Sequence, residues 1–156
     1  MLIELIDEAA TLKLGKEIAK SWPSVAMTIH LEGELGAGKT TLTRGLLIAL
    51  GHTGKVKSPT YTLVEEYEIG SRIVYHFDLY RLSDPEELDY IGLDDYMGGN
   101  ALCLFEWPQQ GGDYLPKPDL IIKLHYKNTG RQVTLTALSN AAQPIYQHLK
   151  QLYISK

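Results

Sequence analysis

The sequence predicts an α/β fold: one domain over residues 1–156, with a mixed parallel and antiparallel sheet and helices on both faces. Three observations predict it. The apolar run from Val25 to Leu31 leads straight into Gly33-Glu34-Leu35-Gly36-Ala37-Gly38-Lys39-Thr40, the pattern G-x-x-x-x-G-K-[ST] between a strand and a helix, which makes this a P-loop NTPase-like domain. Two strand-like pairs flank Gly70-Ser71 and Asn128-Thr129-Gly130, so antiparallel hairpins must accompany the parallel unit. The unbroken apolar run Ala101 to Phe105 reads as a strand covered on both faces.

The elements follow in order. Leu2 to Ile6 is a short opening strand. Asp7 is positioned to N-cap a helix through Ser21, with Leu12, Ile18 and Trp22 as an imperfect apolar stripe and Pro23 as its stop. After the P-loop, a helix carries Leu42, Leu46 and Leu50 on one face and ends at Gly51. A loop from Gly51 to Thr60 precedes strands Tyr61 to Glu68 and Arg72 to Tyr80. Ser83-Asp84-Pro85-Glu86-Glu87 is a strong helix start, because Pro costs nothing where the N–H is unpaired and acids suit the first turn. Beyond the Ala101–Phe105 strand, Asp119 to Lys127 and Gln132 to Leu138 form the second hairpin, and a last helix runs from Asn140 to Tyr153.

Net charge is −4, from 15 Lys and Arg against 19 Asp and Glu, which excludes a general electrostatic pull toward nucleic acid or membrane. The one cysteine, Cys103, lies inside an apolar run and reads as a reduced, buried thiol. With no signal-peptide pattern and no apolar stretch long enough for a bilayer, a soluble cytoplasmic protein is expected.

The chemistry of the loop is anion binding. Its glycines let backbone N–H groups turn inward, and the helix N-terminus adds unpaired donors and a favourable dipole. Lys39 supplies a cation for β- and γ-phosphates, and Thr40 a hydroxyl for Mg²⁺. An acid at the end of a core strand completes such a metal site. Glu106, which ends the most buried strand and precedes Trp107-Pro108, is the preferred metal acid; Asp78 is expected either to support the metal ligands from behind or to orient water. His76 and Asp78 share one face of a strand, too little alone to define a metal site. Ser58-Pro59-Thr60-Tyr61-Thr62 occupies the position of a switch loop, with the hydroxyls of Thr60 and Thr62 aimed to sense γ-phosphate or metal.

Guanine recognition would show as N-K-x-D, and none of Asn100, Asn128 or Asn140 precedes a lysine, so adenine is favoured. Thr11 and Arg131 are the candidates for its pocket.

Taken together, Gly33 to Thr41, Ser58-Pro59-Thr60-Tyr61, His76-Phe77-Asp78-Leu79-Tyr80-Arg81 and Phe105-Glu106-Trp107-Pro108 resemble the TsaE (YjeE) family of bacterial P-loop ATPases. The resemblance covers nearly the whole chain. It implies slow, Mg²⁺-dependent ATP hydrolysis in support of threonylcarbamoyladenosine modification of tRNA. The implied partner is the two-subunit synthase of TsaB and TsaD type proteins, with tRNA met only through that complex. By motif position it assigns the phosphate cradle to Glu34, Leu35, Gly36, Ala37, Gly38, Lys39, Thr40 and Thr41, and the metal to Thr40 and Glu106.

Two rival readings share the P-loop. A small-molecule kinase needs an acceptor site and an arginine-bearing lid, but the arginines here are only Arg44, Arg72, Arg81 and Arg131, widely spread. A nucleotide-sensing module would bind without useful hydrolysis.

Overall fold

The structure, a computed structural model, describes residues 1–154; Ser155 and Lys156, the end of the expected domain, lie outside the described residues. In chain order the elements are β1 (Leu2–Leu5), α1 (Glu8–Ser21), β2 (Met27–Glu32), α2 (Lys39–Leu50), β3 (Val64–Ile69), β4 (Arg72–Asp78), α3 (Glu87–Tyr90), β5 (Leu102–Glu106), β6 (Leu120–Lys127), β7 (Gly130–Ala137) and α4 (Gln143–Tyr153). The seven strands form one sheet in the order β1-β7-β6-β2-β5-β4-β3. Strands β6, β2, β5 and β4 are mutually parallel, while β1 and β3 sit at the edges on antiparallel partners. The carboxyl ends of the four parallel strands therefore open on one edge, where ligands bind in open α/β sheets.

Strand alternation sorts the core into two faces. Met27, Ile29 and Leu31 of β2, with Leu102, Leu104 and Ile122, pack against Leu14 and Ile18 of α1, Leu42 and Leu46 of α2, and Ile145 and Leu149 of α4. Phe77, Cys103 and Phe105 project to the other face, under Leu88 of α3 and Leu93 of a following 3-10 turn. Helices thus lie on both faces, unequally: the three long ones share one side. Each leucine buried this fully contributes about 1.5–3 kcal/mol relative to exposure. Cys103 is buried on β5, and burial pushes its thiol pKa up to about 12.

Asp7 caps α1 as expected, its Oδ1 accepting from the Ala10 N–H at 2.9 Å. The buried residues of α1 are Thr11, Leu14, Gly15, Glu17, Ile18 and Ala19, so Leu12 belongs to the margin of the stripe. The shift has a cause. A Cβ on Gly15 would overlap the Leu42 carbonyl oxygen, and one on Gly45 the Leu12 carbonyl oxygen, so α1 and α2 cross backbone to backbone at paired glycines.

Other boundaries move for local reasons. Strand β3 starts at Val64 rather than Tyr61, because Leu63 turns back at φ +72° and donates to the Pro59 carbonyl at 2.8 Å. Strand β4 stops at Asp78, whose Oδ1 accepts from the Tyr80 N–H at 3.0 Å and turns the chain. The helix start at Ser83 yields a single turn, since Gly92 enters the left-handed region at φ +71°. The last helix begins as a 3-10 turn, Asn140–Ala142. Among the described residues, no helix is long and apolar enough to cross a membrane.

Candidate functional site

Central β2 ends at Glu32, and the chain loops through Gly33–Gly38 into α2. Gly36 (φ +79°) and Gly38 (φ +113°, the N-cap of α2) hold left-handed conformations that a β-carbon would strain. The loop's outward carbonyls are taken up by neighbouring strands. Arg131 donates from Nε to the Ala37 carbonyl and from Nη2 to the Gly36 carbonyl, both at 3.1 Å. The Tyr126 hydroxyl donates to the Leu35 carbonyl at 2.6 Å, and the Arg131 guanidinium stacks 4.3 Å over the Tyr126 ring. Tyr126 and Arg131 are register partners on β6 and β7, so the second hairpin braces the loop from outside.

Inside, the Lys39 Nζ donates to the Gly33 carbonyl at 2.5 Å and lies 4.0 Å from the centroid of the Trp107 ring. Desolvation lowers the Lys39 pKa, opposed by the charges of Glu106 and Asp78. Those acids are register partners at the ends of β5 and β4, and both are buried. Asp78 Oδ2 accepts from the Thr60 hydroxyl at 3.2 Å, and Thr60 shares a 2.7 Å hydrogen bond with Ser58. Glu106 Oε2 lies 2.5 Å from Nε2 of His76, which is wholly buried. Arg81 stacks on Tyr61, 4.6 Å from its ring, and so ties the Ser58–Leu63 turn to the end of β4.

A cleft of about 250 Å³ gathers Leu35, Gly36, Gly38, Lys39, Thr40 and Thr41 with Ser58, Thr60, Asp78, Glu106 and Trp107. A second hollow of about 520 Å³ lies against the same loop at Gly36–Gly38 and Thr41, and contains both Thr11 and Arg131 with Ile6, Asp7, Glu8 and Thr129. Gly36, Gly38 and Thr41 line both, so a ligand anchored on the loop can extend from one into the other. Glu34 stands apart. It faces a different groove, with Glu32, Trp107, Lys123 and Tyr126, and is brought to neither of these hollows.

The oxygen donors of the cleft are hard: the hydroxyls of Thr40, Thr41, Ser58 and Thr60 and the carboxylates of Asp78 and Glu106. Among the described residues no three His, Cys, Asp or Glu side chains form a ready metal cage. Hard oxygen donors of this kind fit Mg²⁺, which binds through one or two carboxylates with substrate phosphates and water rather than a full protein cage.

Two residues of this corner escape a reading of the sequence. His76 reads as a same-face neighbour of Asp78 and a motif member with no role of its own, because its partner Glu106 lies on another strand. Tyr126 gave no signal until β6 and β7 were paired.

A glycine loop between the central parallel strand and a helix, with acids ending the neighbouring strands, defines an α/β protein of the P-loop class. Residues 5–133 match the model of the family described as threonylcarbamoyl adenosine biosynthesis protein TsaE. Among its relatives, the tRNA threonylcarbamoyladenosine biosynthesis protein TsaE of Haemophilus influenzae is 48% identical over 143 residues, 89% of this chain and 90% of that one. The protein of the same name from Bacillus subtilis is 41% identical, over 90% of this chain and 85% of its own. The crystal structure of Bacillus subtilis YdiB superimposes with a TM-score of 0.81 at 31% identity, covering 97% of this chain and 95% of that one. The chain belongs to the TsaE family.

Proposed function

We propose that this protein binds ATP with Mg²⁺ and hydrolyses it slowly, serving in the cytoplasm the tRNA threonylcarbamoyladenosine biosynthesis for which its relatives are named. The observation that carries the reading is the single cleft shared by Lys39, Thr40, Asp78 and Glu106 on the edge of the loop. In this reading the loop N–H groups and the α2 N-terminus hold the phosphates. Lys39 exchanges the Gly33 carbonyl for a phosphate oxygen, gaining an anion in place of a neutral acceptor. Thr40 and Glu106 would hold Mg²⁺, which when bound neutralises charge developing on the β- and γ-phosphate oxygens. Asp78 accepts a hydrogen bond from the attacking water and aims it at the γ-phosphorus, with Thr60 surrendering Asp78 Oδ2 as it turns to the nucleotide. The adenine side falls to the hollow of Thr11 and Arg131.

Slow turnover is expected because no arginine lines the phosphate cleft among the described residues. Arg44 pairs with Glu8, Arg72 donates to the Leu50 carbonyl, Arg81 stacks on Tyr61 and Arg131 braces the loop. A partner supplying a cation or ordering the Ser58–Leu63 turn would raise turnover, by about 10³–10⁵ where an arginine is delivered. The synthase of TsaB and TsaD type is the proposed partner, with tRNA reached through it.

The test is γ-labelled ATP with the pure chain and a panel of small-molecule acceptors, with and without the assembled synthase. Label should pass to water and faster with the synthase; transfer to an acceptor would favour a kinase, and no release in either case a sensing module.

A further inference from the structure

The buried pair His76–Glu106 does more than fill space. His76 is wholly enclosed, and its Nε2 lies 2.5 Å from Glu106 Oε2, while Nδ1 has no hydrogen-bond partner among the described residues. A neutral imidazole has one N–H and one bare nitrogen. A hydrogen on Nδ1 would be a buried donor with nothing to meet, so the proton belongs on Nε2, pointing at Glu106. Both residues project from the same face of adjacent strands: His76 stands opposite Leu104, one same-face step before the Asp78–Glu106 pair. Glu106 also lines the phosphate cleft, whereas His76 does not.

We infer that His76 is a positioning residue: its Nε2–H holds one oxygen of Glu106 and leaves the other turned to the cleft as a single, fixed donor. This rests on the proposal that Glu106 holds Mg²⁺, and it deepens that proposal. A carboxylate free to rotate offers a cation two oxygens over many rotamers. One held from behind offers a single geometry, and partners of this kind behind a metal ligand are worth about 10–100-fold in metal affinity. The Phe77–Phe105 stack on the opposite face, with centroids 4.6 Å apart, keeps the same two strands in register at this point.

The experiment uses the full chain saturated with ADP, Mn²⁺ as the probe, and electron paramagnetic resonance to count free metal. His76→Gln places an amide nitrogen where Nε2 lies; His76→Asn places one where Nδ1 lies, facing away from Glu106. The Asn variant should bind Mn²⁺ about 10–100-fold more weakly, the Gln variant close to wild type, and ADP without metal should bind all three equally. His76→Leu, which fills the ring volume without a donor, should match Asn and serves if Asn melts early. Equal affinities in the Asn and Gln variants, whether both normal or both weakened, would overturn the inference. A Glu106→Gln control separates the two ideas. If it weakens Mn²⁺ binding while His76→Asn does not, only the role of His76 falls; if Glu106→Gln binds Mn²⁺ normally, the metal assignment falls and this inference with it.

Discussion

The ammonium of Lys39 lies over the face of Trp107, 4.0 Å from the ring centre, while donating to the loop's own Gly33 carbonyl. The lysine is thus stored against an aromatic face and a neutral oxygen, and its lowered pKa records how little water it keeps there. A phosphate is the better acceptor, so nucleotide should draw the cation off the indole. Mg²⁺–ADP is expected to change Trp107 emission, while Trp22, buried at the end of α1 with Nε1 donating to the Val25 carbonyl, stays silent. Single-tryptophan variants test it: a signal carried by Trp22 would put the nucleotide elsewhere. Lys39→Ala should lose both signal and affinity while melting cooperatively.

The two acids should separate by role. Glu106→Ala is expected to weaken Mg²⁺ dependence first. Asp78→Ala should keep nucleotide and metal but lower kcat about 10²–10⁴-fold, as loss of a group that orients water does. Mg²⁺ titrations of both variants decide it, and Asp78→Ala as the poorer metal binder would reverse the assignment.

Gly15→Ala tests the helix crossing. In an exposed helix this change stabilises by about 1 kcal/mol. Here the new methyl meets the Leu42 carbonyl, so a loss of about 1–3 kcal/mol is expected instead. Since α2 begins at Lys39, nucleotide affinity should fall with it. A melting temperature at or above wild type would refute the close crossing.

Acid should loosen the docking of α4. His148 Nε2 lies 2.8 Å from Glu17 of α1, and that hydrogen bond, with Lys20, holds the Glu17 pKa below its ordinary 4.5 despite burial. A carboxylate depressed in the folded state stabilises fully above its unfolded pKa and loses that contribution as pH falls through the folded value. Wild type should therefore exceed Glu17→Gln in thermal stability at neutral pH, and the gap should close below the ordinary value of 4.5. A gap independent of pH in calorimetric scans would show that packing, not charge, is at stake.

The parts of this fold written in short range were legible in the sequence. The strand, loop and helix around Lys39 sit within a few residues of one another, and both hairpins announce their own turns. The cleft collects residues named from motif spacing because strand ends bring Asp78 and Glu106 together once β4 and β5 pair in parallel. What stayed hidden is relational. The glycine crossing depends on which faces of α1 and α2 meet, and a Gly in a helix reads as a flaw until its partner is known. His76 looks like a neighbour of Asp78 until Glu106 arrives from another strand. The acidic helix start at Ser83 fails for the same reason in reverse: strong local signals open a turn that little packing and the left-handed Gly92 leave unextended.

The one cysteine gives this domain an internal clock. With its thiol pushed up to about 12 and its Sγ donating to the Tyr96 carbonyl, Cys103 on β5 meets an alkylating reagent when the turn that covers it lifts. The labelling rate at neutral pH then counts openings of the cover over the strand that ends in Glu106, with no engineered probe. A ligand in the cleft that also steadies this cover would slow that clock, and a thiol on the far face would then report on it.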